Sequence, residues 1–225
     1  MTFDLPVRPA LGRADFVVSQ ANYMALAMVE GAADWPSGRL VICGPAGAGK
    51  SHLAAVWAGS NGAAVIEAAR MSTDTGPHDG AALVVEDLDR LVDNPQAQAA
   101  LFHALNAAAA RGGRVLMTAL DPPARLPGLL PDLASRLAAS GTARLEAPDD
   151  ALLAALLAKG FADRQVRVGP EVTAFLVARM ERSFAAAHAM VERLDRVALA
   201  HGRAITRDFA AAVLDSSDAG RDDVS

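Results

Sequence analysis

The sequence has 225 residues and a formal net charge of −5, and hydrophobic residues make up 52% of it. This length is sufficient for one α/β domain with a smaller companion and a sizeable core. Lysine and arginine form no run, so the electrostatic attraction typical of duplex-binding proteins is missing and we expect no direct binding to duplex DNA.

The composition also bears on the cellular compartment. No stretch of about 18 or more strongly apolar residues occurs, so no transmembrane helix and no membrane partner are expected. The N-terminus lacks the basic start and apolar centre of an export signal, and the only cysteine, Cys43, lies in a predicted buried strand. We therefore expect a cytoplasmic protein.

The first two thirds of the chain show the pattern of an α/β domain. Residues 1–14 contain Pro6, Pro9 and Gly12 and are predicted to form a flexible N-terminal arm. A helix is predicted over residues 20–31, ending at Gly31. Strands are predicted at residues 40–43, 63–67, 83–85 and 114–118, with helix-length segments between them. This alternation predicts a parallel sheet flanked by helices over residues 15–147.

The last third is predicted to be helical. Helix-starting signals stand at Asp149, Pro170, Ser183 and Thr206, as Asn94 and Pro95 do for a helix closed by Gly112 in the preceding domain. We predict a small all-helical domain over residues 148–215, followed by a disordered tail at residues 216–225, which is rich in Asp and Ser.

The segment Gly44-Pro45-Ala46-Gly47-Ala48-Gly49-Lys50-Ser51 matches the P-loop pattern at all its fixed positions. Glycines allow backbone N–H groups to turn towards phosphates, Lys50 supplies positive charge, and the Ser51 hydroxyl suits Mg²⁺. The alternative, a glycine-rich turn with a chance Lys-Ser pair, is disfavoured by the strand before the motif and the helix after it. The sequence therefore predicts binding of ATP or ADP with Mg²⁺.

Polar residues follow two other predicted strands. Glu86 and Asp87 come after the strand at residues 83–85, where acids of P-loop proteins hold the Mg²⁺ shell and orient a water molecule. Thr118 ends the strand at residues 114–118 and is a candidate for contacting a γ-phosphate or the attacking water. A solvated strand end and an ordinary strand-end threonine are the respective alternatives.

The order of these parts resembles the AAA+ family, and within it the replication initiator DnaA and its shorter regulatory relative Hda. The resemblance rests on Phe16-Val17-Val18 with Asn22, the P-loop, Glu86-Asp87, Leu101-Phe102-His103-Ala104-Leu105-Asn106 and residues 130–137. It implies an AAA+ core with a helical lid domain. It also implies that Val17, Val18 and His52 join the P-loop in binding the nucleotide.

The segment Leu130-Pro131-Asp132-Leu133-Ala134-Ser135-Arg136-Leu137 is similar to the Hda stretch that carries an arginine finger. By this resemblance Arg136 acts in trans, in the ATP site of a DnaA molecule docked beside this chain, while Asp87 and Thr118 are the catalytic candidates of its own site. From the residues alone, a surface salt bridge of Arg136 remains the alternative.

Three features favour a regulator over an initiator. The helical domain is followed by Asp215-Ser216-Ser217-Asp218 rather than a DNA-binding domain, and only residues 71–80 fill the interval in which DnaA inserts helices for single-stranded DNA. The start, Thr2-Phe3-Asp4-Leu5-Pro6-Val7, is similar to the sliding-clamp peptide of Hda, with Thr2 in place of its glutamine. Phe3, Leu5, Pro6 and Val7 are therefore predicted to bind the clamp, and an incidental apolar tail is the alternative.

Two departures from the family pattern concern the protein's own nucleotide. Ala185 falls where the lid arginine is expected, unless Arg182 substitutes, and Glu86 stands where aspartate is usual. We expect slow or absent ATP hydrolysis by this chain, with the nucleotide serving mainly as a structural ligand.

The resulting hypothesis is an Hda-like regulator that, bound to the sliding clamp, promotes ATP hydrolysis by DnaA; a homodimer is left open. The alternatives are a DnaA-like or helicase-loader-like AAA+ protein acting on single-stranded DNA and, third, a P-loop kinase of a small molecule.

Overall fold

The computed structural model describes residues 16–72 and 82–218. The predicted clamp-binding residues Phe3, Leu5, Pro6 and Val7 lie outside this part of the chain, as does most of the interval at residues 71–80. Within it the chain divides into two compact units, one comprising residues up to Pro45 together with Gly49–Glu146, the other Ala46–Ala48 together with the residues from Ala147 onwards.

The first unit is built on a five-stranded parallel sheet. Its strands are β1 (Arg39–Cys43), β2 (Ala64–Glu67), β3 (Ala82–Glu86), β4 (Arg114–Ala119) and β5 (Gly141–Arg144). They lie side by side in the order β2-β3-β4-β1-β5. Its helices are α1 (Tyr23–Glu30), α2 (Lys50–Asn61), α3 (Pro95–Ala110) and α4 (Pro131–Ala138). The predicted α/β fold class with a parallel sheet is confirmed.

The strand order determines which residues meet at the functional edge. β4 lies between β1 and β3, and Ile42 of β1 pairs with Thr118 of β4. All five strands run in parallel, so their carboxyl ends share one edge of the sheet, where ligands of such folds bind. The P-loop after β1 and the acidic residues after β3 therefore lie on either side of the end of β4.

Side chains alternate between the two faces of the sheet. One face packs against α3 and α4 in a core formed mainly by Val41, Leu83, Val85, Leu88, Leu91, Leu101, Leu105, Val115, Met117, Leu133 and Leu137. On the other face α2 packs against β3 and β4, and α1 against β5. Burial of this much aliphatic surface fixes the register, because a shift by one residue would expose these side chains.

The strand β5 was not predicted. Its sequence, Gly-Thr-Ala-Arg, lacks the apolar run of the other strands, since only Ala143 of this edge strand is buried. Pairing of Leu40 with Gly141 places it beside β1. Leu40 Cδ1 would lie 3.1 Å from a β-carbon at Gly141, so a side chain there would crowd β1.

The second unit has four helices: α5 (Asp150–Asp163), α6 (Pro170–Val177), α7 (Phe184–His201) and α8 (Arg207–Asp218). α5 packs against α6 and α7, and α8 against both α6 and α7. The helix N-termini follow the predicted signals, as Asp149 and Ser183 side chains accept hydrogen bonds from Leu152 N and Ala186 N. α8 continues to Asp218, so residues 216–218 of the predicted disordered tail are helical.

Among residues 16–72 and 82–218, none of the helices combines the length and apolar character needed to span a bilayer.

Candidate nucleotide site and arginine finger

The P-loop leaves the buried strand β1 through a narrow passage. A β-carbon at Gly44 would lie only 2.2 Å from the carbonyl oxygen of Leu145, so a larger residue cannot take its place. Gly49, immediately before α2, has φ of +91°, a conformation that favours glycine. The glycines at these two positions thus meet steric requirements of the loop, and the N-terminus of α2 begins at Lys50, where backbone N–H groups can face an anion.

Lys50 is buried, and its Nζ donates hydrogen bonds to the carbonyl oxygens of Gly44 (2.6 Å) and Pro45 (2.9 Å). Burial lowers the pKa of Lys50, while the carboxylates of Asp89 and Asp87 act in the opposite direction. The ammonium group is therefore held against the P-loop with two carboxylates nearby. This arrangement fits a phosphate ligand with a divalent cation, because the lysine can move its hydrogen bonds from loop carbonyls to phosphate oxygens.

Asp87 is positioned by β4. Its backbone has left-handed dihedral angles (φ 60°, ψ 59°), and its N–H donates a hydrogen bond of 3.0 Å to Thr118 Oγ1. Thr118 has no exposed surface. Its hydroxyl therefore fixes the turn after β3, and this contact supports a role in holding Asp87 rather than contact with a phosphate.

Glu86, the other predicted acid, is half-buried, and its Oε1 atom has no hydrogen-bond partner in the described part of the chain. Ser51, in the first turn of α2, is exposed. No cluster of three or more His, Cys, Asp or Glu side chains suited to a metal ion occurs within residues 16–72 and 82–218. A Mg²⁺ ion that keeps several waters and phosphate ligands needs no such cluster. The hydroxyl of Ser51 and the carboxylates of Glu86 and Asp87 are oxygen ligands of the kind that fits Mg²⁺.

The segment predicted to border the nucleotide is held by Asn22. This buried side chain donates to Val17 O (2.8 Å) and accepts from Ser19 N (2.8 Å). Val17 is half-buried and Val18 is 45% exposed. The ring of His52 meets Phe16 edge to face, with centroids 5.4 Å apart. Phe16 and Asn22 thus anchor the segment and leave the side chain of Val18 available to a ligand.

Arg136 lies in the last turn of α4, away from this carboxyl edge. Its guanidinium stands over the ring of Phe102 in α3, 5.0 Å from the ring centroid, and the side chain is half-buried. Within residues 16–72 and 82–218 it has no ion-pair partner. The salt-bridge alternative therefore finds no support in the described residues.

Arg136 lies far from the P-loop of its own chain. The carbonyl oxygen of Arg136 accepts a hydrogen bond from Ser140 Oγ (3.1 Å), and the next residue, Gly141, starts β5 opposite Leu40. Arg136 thus lies near the start of β1, whereas the P-loop follows its end, about 13 Å farther along the strand. Arg136 thus lies at the amino ends of the parallel strands, and the P-loop lies at their carboxyl ends.

Comparison with known proteins agrees with this architecture. Residues 149–214 match the family described as Hda, lid domain. The chromosomal replication initiator protein DnaA of Sphingopyxis alaskensis is 28% identical over 221 residues, a match that covers 81% of this chain and 48% of that protein. The chain therefore spans about half the length of this relative.

Solved structures give the same result for the fold. Domain III of the Thermotoga maritima replication initiation protein DnaA superposes with a TM-score of 0.81 at 20% identity, covering 94% of this chain and 98% of that one. AMPPCP-bound DnaA from Aquifex aeolicus gives a TM-score of 0.69 at 16% identity, covering 80% and 63%. This chain is a DnaA-related AAA+ protein. The resemblance inferred from its motifs is confirmed.

One residue of the candidate site in this AAA+ protein was not predicted. Asp89 lies in the 3-10 turn Leu88–Leu91, and its Oδ2 accepts a hydrogen bond of 2.7 Å from Leu120 N, just after β4. It is also the carboxylate with the larger influence on the pKa of Lys50. The sequence shows a second acidic residue two positions after Asp87. Only the turn, however, brings the carboxylate of Asp89 back to the end of β4.

Arg182, the candidate substitute for the lid arginine, is engaged within the second unit of the AAA+ protein. Its guanidinium contacts Pro148 O (3.3 Å) and Asp150 Oδ1 (2.5 Å). Ala185, at the position of the expected lid arginine, is an exposed residue of α7.

Replacement of Thr118 by valine tests the role of its hydroxyl. Valine preserves the shape but leaves the N–H of Asp87 unpaired, so we expect the free energy of unfolding to fall by about 1–3 kcal/mol. Urea denaturation measures the change. Thr142→Val is the matched control in β5, since Thr142 is exposed, and should shift stability by less than about 0.5 kcal/mol. Equal effects of the two substitutions would contradict the assigned contact.

Proposed function

We propose that this protein is an Hda-like regulator of replication initiation, which promotes hydrolysis of ATP bound to DnaA by inserting Arg136 into the nucleotide site of DnaA. The observation that supports this most directly is the placement of Arg136 at the sheet edge opposite the protein's own P-loop. A guanidinium at the amino ends of the strands is too far from the nucleotide of its own chain to act on it, and it is available to the nucleotide of a neighbouring protein.

The chemistry suits an arginine. Hydrolysis develops negative charge on the transferred phosphoryl group, and a planar guanidinium stabilises it through paired hydrogen bonds. The ring of Phe102 supports one face of the Arg136 guanidinium without consuming its N–H donors. An ion pair with a carboxylate would have occupied those donors, and none is present among the described residues.

For its own nucleotide site we propose a structural role. Bound ADP or ATP would supply a polyphosphate for Lys50 and the P-loop residues Gly44–Ser51, with Mg²⁺ held by Ser51, Glu86 and Asp87. Lys50 orients the ligand and neutralises its charge. The carboxylates of Asp87 and Asp89 lie near Lys50. Glu86 in place of aspartate and Ala185 in place of a lid arginine favour slow or absent hydrolysis by this chain.

We further propose that the N-terminal arm tethers the protein to the DNA sliding clamp. Phe3, Leu5 and Val7 are apolar residues around Pro6, a composition suited to docking an extended peptide in an apolar groove. Tethering raises the effective concentration of the protein at newly replicated DNA.

Deletion of residues 1–8 tests whether the N-terminal arm tethers the protein to the clamp. In a reaction that contains clamp-loaded DNA and ATP-bound DnaA, we expect the parent chain to accelerate hydrolysis and the truncated chain to lose at least about tenfold in efficiency at limiting concentration. At high protein concentration the difference should diminish, because diffusion replaces the tether. Equal efficiency of the two chains at all concentrations would exclude the clamp tether while leaving the role of Arg136 open to its own test.

A further inference from the structure

The start of β1 carries a buried positive charge that has no ion-pair partner among residues 16–72 and 82–218. Arg39 is the first residue of β1 and is only 5% exposed. Its Nε and Nη1 atoms are buried and have no hydrogen-bond partner in the described part of the chain. Buried arginines are ordinarily paired with carboxylates or carbonyl groups, since an unpaired buried charge is costly. The arrangement therefore requires an explanation.

The second guanidinium in this region is that of Arg136. α4 ends at Ala138, Ser140 bonds back to the carbonyl of Arg136, and β5 then pairs beside β1, which brings the last turn of α4 to the start of β1. Burial and then the charge of Arg136 lower the pKa of Arg39. Neither guanidinium has a carboxylate partner among residues 16–72 and 82–218. The two form an uncompensated positive pair, hereafter the arginine pair.

We propose that Arg39 is a positioning residue that acts through Arg136. The buried charge of Arg39 increases the affinity of the Arg136 guanidinium for an anion presented by another protein. This inference rests on the proposed function, which makes that anion the terminal phosphate of a nucleoside triphosphate on DnaA. Arg39 is buried and does not touch the anion itself; it acts through its charge.

Two effects of the Arg39 charge point in the same direction. Like charges repel in the free protein, so the free state of the arginine pair is raised in energy. An anion at Arg136 is attracted by both charges, and the protein interior screens this attraction less than water does. We expect Arg39 to strengthen anion binding at Arg136 on the order of tenfold, which corresponds to about 1.4 kcal/mol.

Removal of the Arg39 charge should have opposite effects on stability and on function. Arg39→Met removes a buried unpaired charge and retains an apolar side chain of similar length, so the Tm should rise by roughly 2–4 °C. The same variant should lower the rate at which the protein stimulates hydrolysis of DnaA-bound ATP, on the order of tenfold. Arg39→Lys keeps the charge and should retain most of the stimulation.

Arg111→Met is the matched control, because Arg111 is an exposed arginine just after α3 in the same unit. It removes the same charge from the surface and should leave the stimulation within about twofold, and the Tm within about 2 °C, of the parent. Circular dichroism confirms that each variant is folded, and Arg39→Gln provides a second neutral variant.

Unchanged stimulation by Arg39→Met would overturn the inference. A loss of stimulation together with a lower Tm, in both Arg39→Met and Arg39→Gln, would also overturn it, because Arg39 would then be a structural residue. If Arg136→Ala still stimulates hydrolysis fully, the proposed function itself is wrong. If Arg136→Ala is inactive while Arg39→Met is fully active, the function stands and only the role of Arg39 is lost.

Discussion

Replacement of Arg136 by alanine is expected to lower the stimulated rate of hydrolysis of DnaA-bound ATP by a factor on the order of 10³. The reason is that a trans guanidinium acts mainly on charge that develops in the transition state, and alanine offers neither charge nor donors. Single-turnover hydrolysis of ATP preloaded on DnaA, in the presence of clamp-loaded DNA, measures the rate. The affinity of the variant for DnaA should change less than the rate of hydrolysis does.

Three comparisons separate this role from a structural one. The alanine variant should remain folded, because it loses a contact of the Arg136 side chain with Phe102 worth about 0.5–1 kcal/mol and relieves the repulsion from Arg39. Arg136→Lys keeps the charge but not the planar fork and should recover only a small part of the rate. Arg125→Ala, which removes an exposed arginine of the same unit, should behave as the parent. Full stimulation by Arg136→Ala would refute the mechanism.

Replacement of Lys50 by alanine is expected to have the second largest effect, this time on the protein's own nucleotide. Lys50 is the buried cation of the P-loop, and its loss removes charge-assisted hydrogen bonds worth about 1.5–3 kcal/mol. The affinity for ADP should therefore fall by about 10- to 100-fold. Titration with a fluorescent ADP analogue measures the affinity, and the rise of Tm on addition of ADP should be correspondingly smaller.

The chain contains one other lysine, Lys159, which provides the control for this experiment. It lies in α5, where it forms an ion pair with Asp163, and Lys159→Ala should bind ADP as the parent does. If ADP stabilises Lys50→Ala and the parent equally, the motif does not bind phosphate as assigned.

The local parts of the structure could be predicted because their causes lie within a few residues. The capping side chain of Asn94 accepts from Ala97 N, three residues later, as its place before Pro95 indicates. Gly202 ends α7 with φ of +59°, a conformation that favours glycine. The P-loop is of the same kind, since its glycines, lysine and strand-then-helix context are contiguous in the sequence.

Features that depend on distant contacts could not be predicted in this way. β5 has few apolar residues and becomes a strand only because β1 offers an edge to pair with. Asp89 reaches the site through a hydrogen bond with Leu120, 31 residues away. The arginine pair joins residues of β1 and α4 that are 97 positions apart, and no spacing rule links them.

A mixing experiment identifies directly which protein's ATP is hydrolysed. DnaA is loaded with ATP labelled at the γ-phosphate, this protein is loaded with unlabelled ADP, and the two are mixed on clamp-loaded DNA. We expect rapid release of labelled phosphate only from the mixture, and very slow release when this protein alone is loaded with labelled ATP. Release by this protein alone at the rate of the mixture, or no acceleration on mixing, would contradict the proposed mechanism.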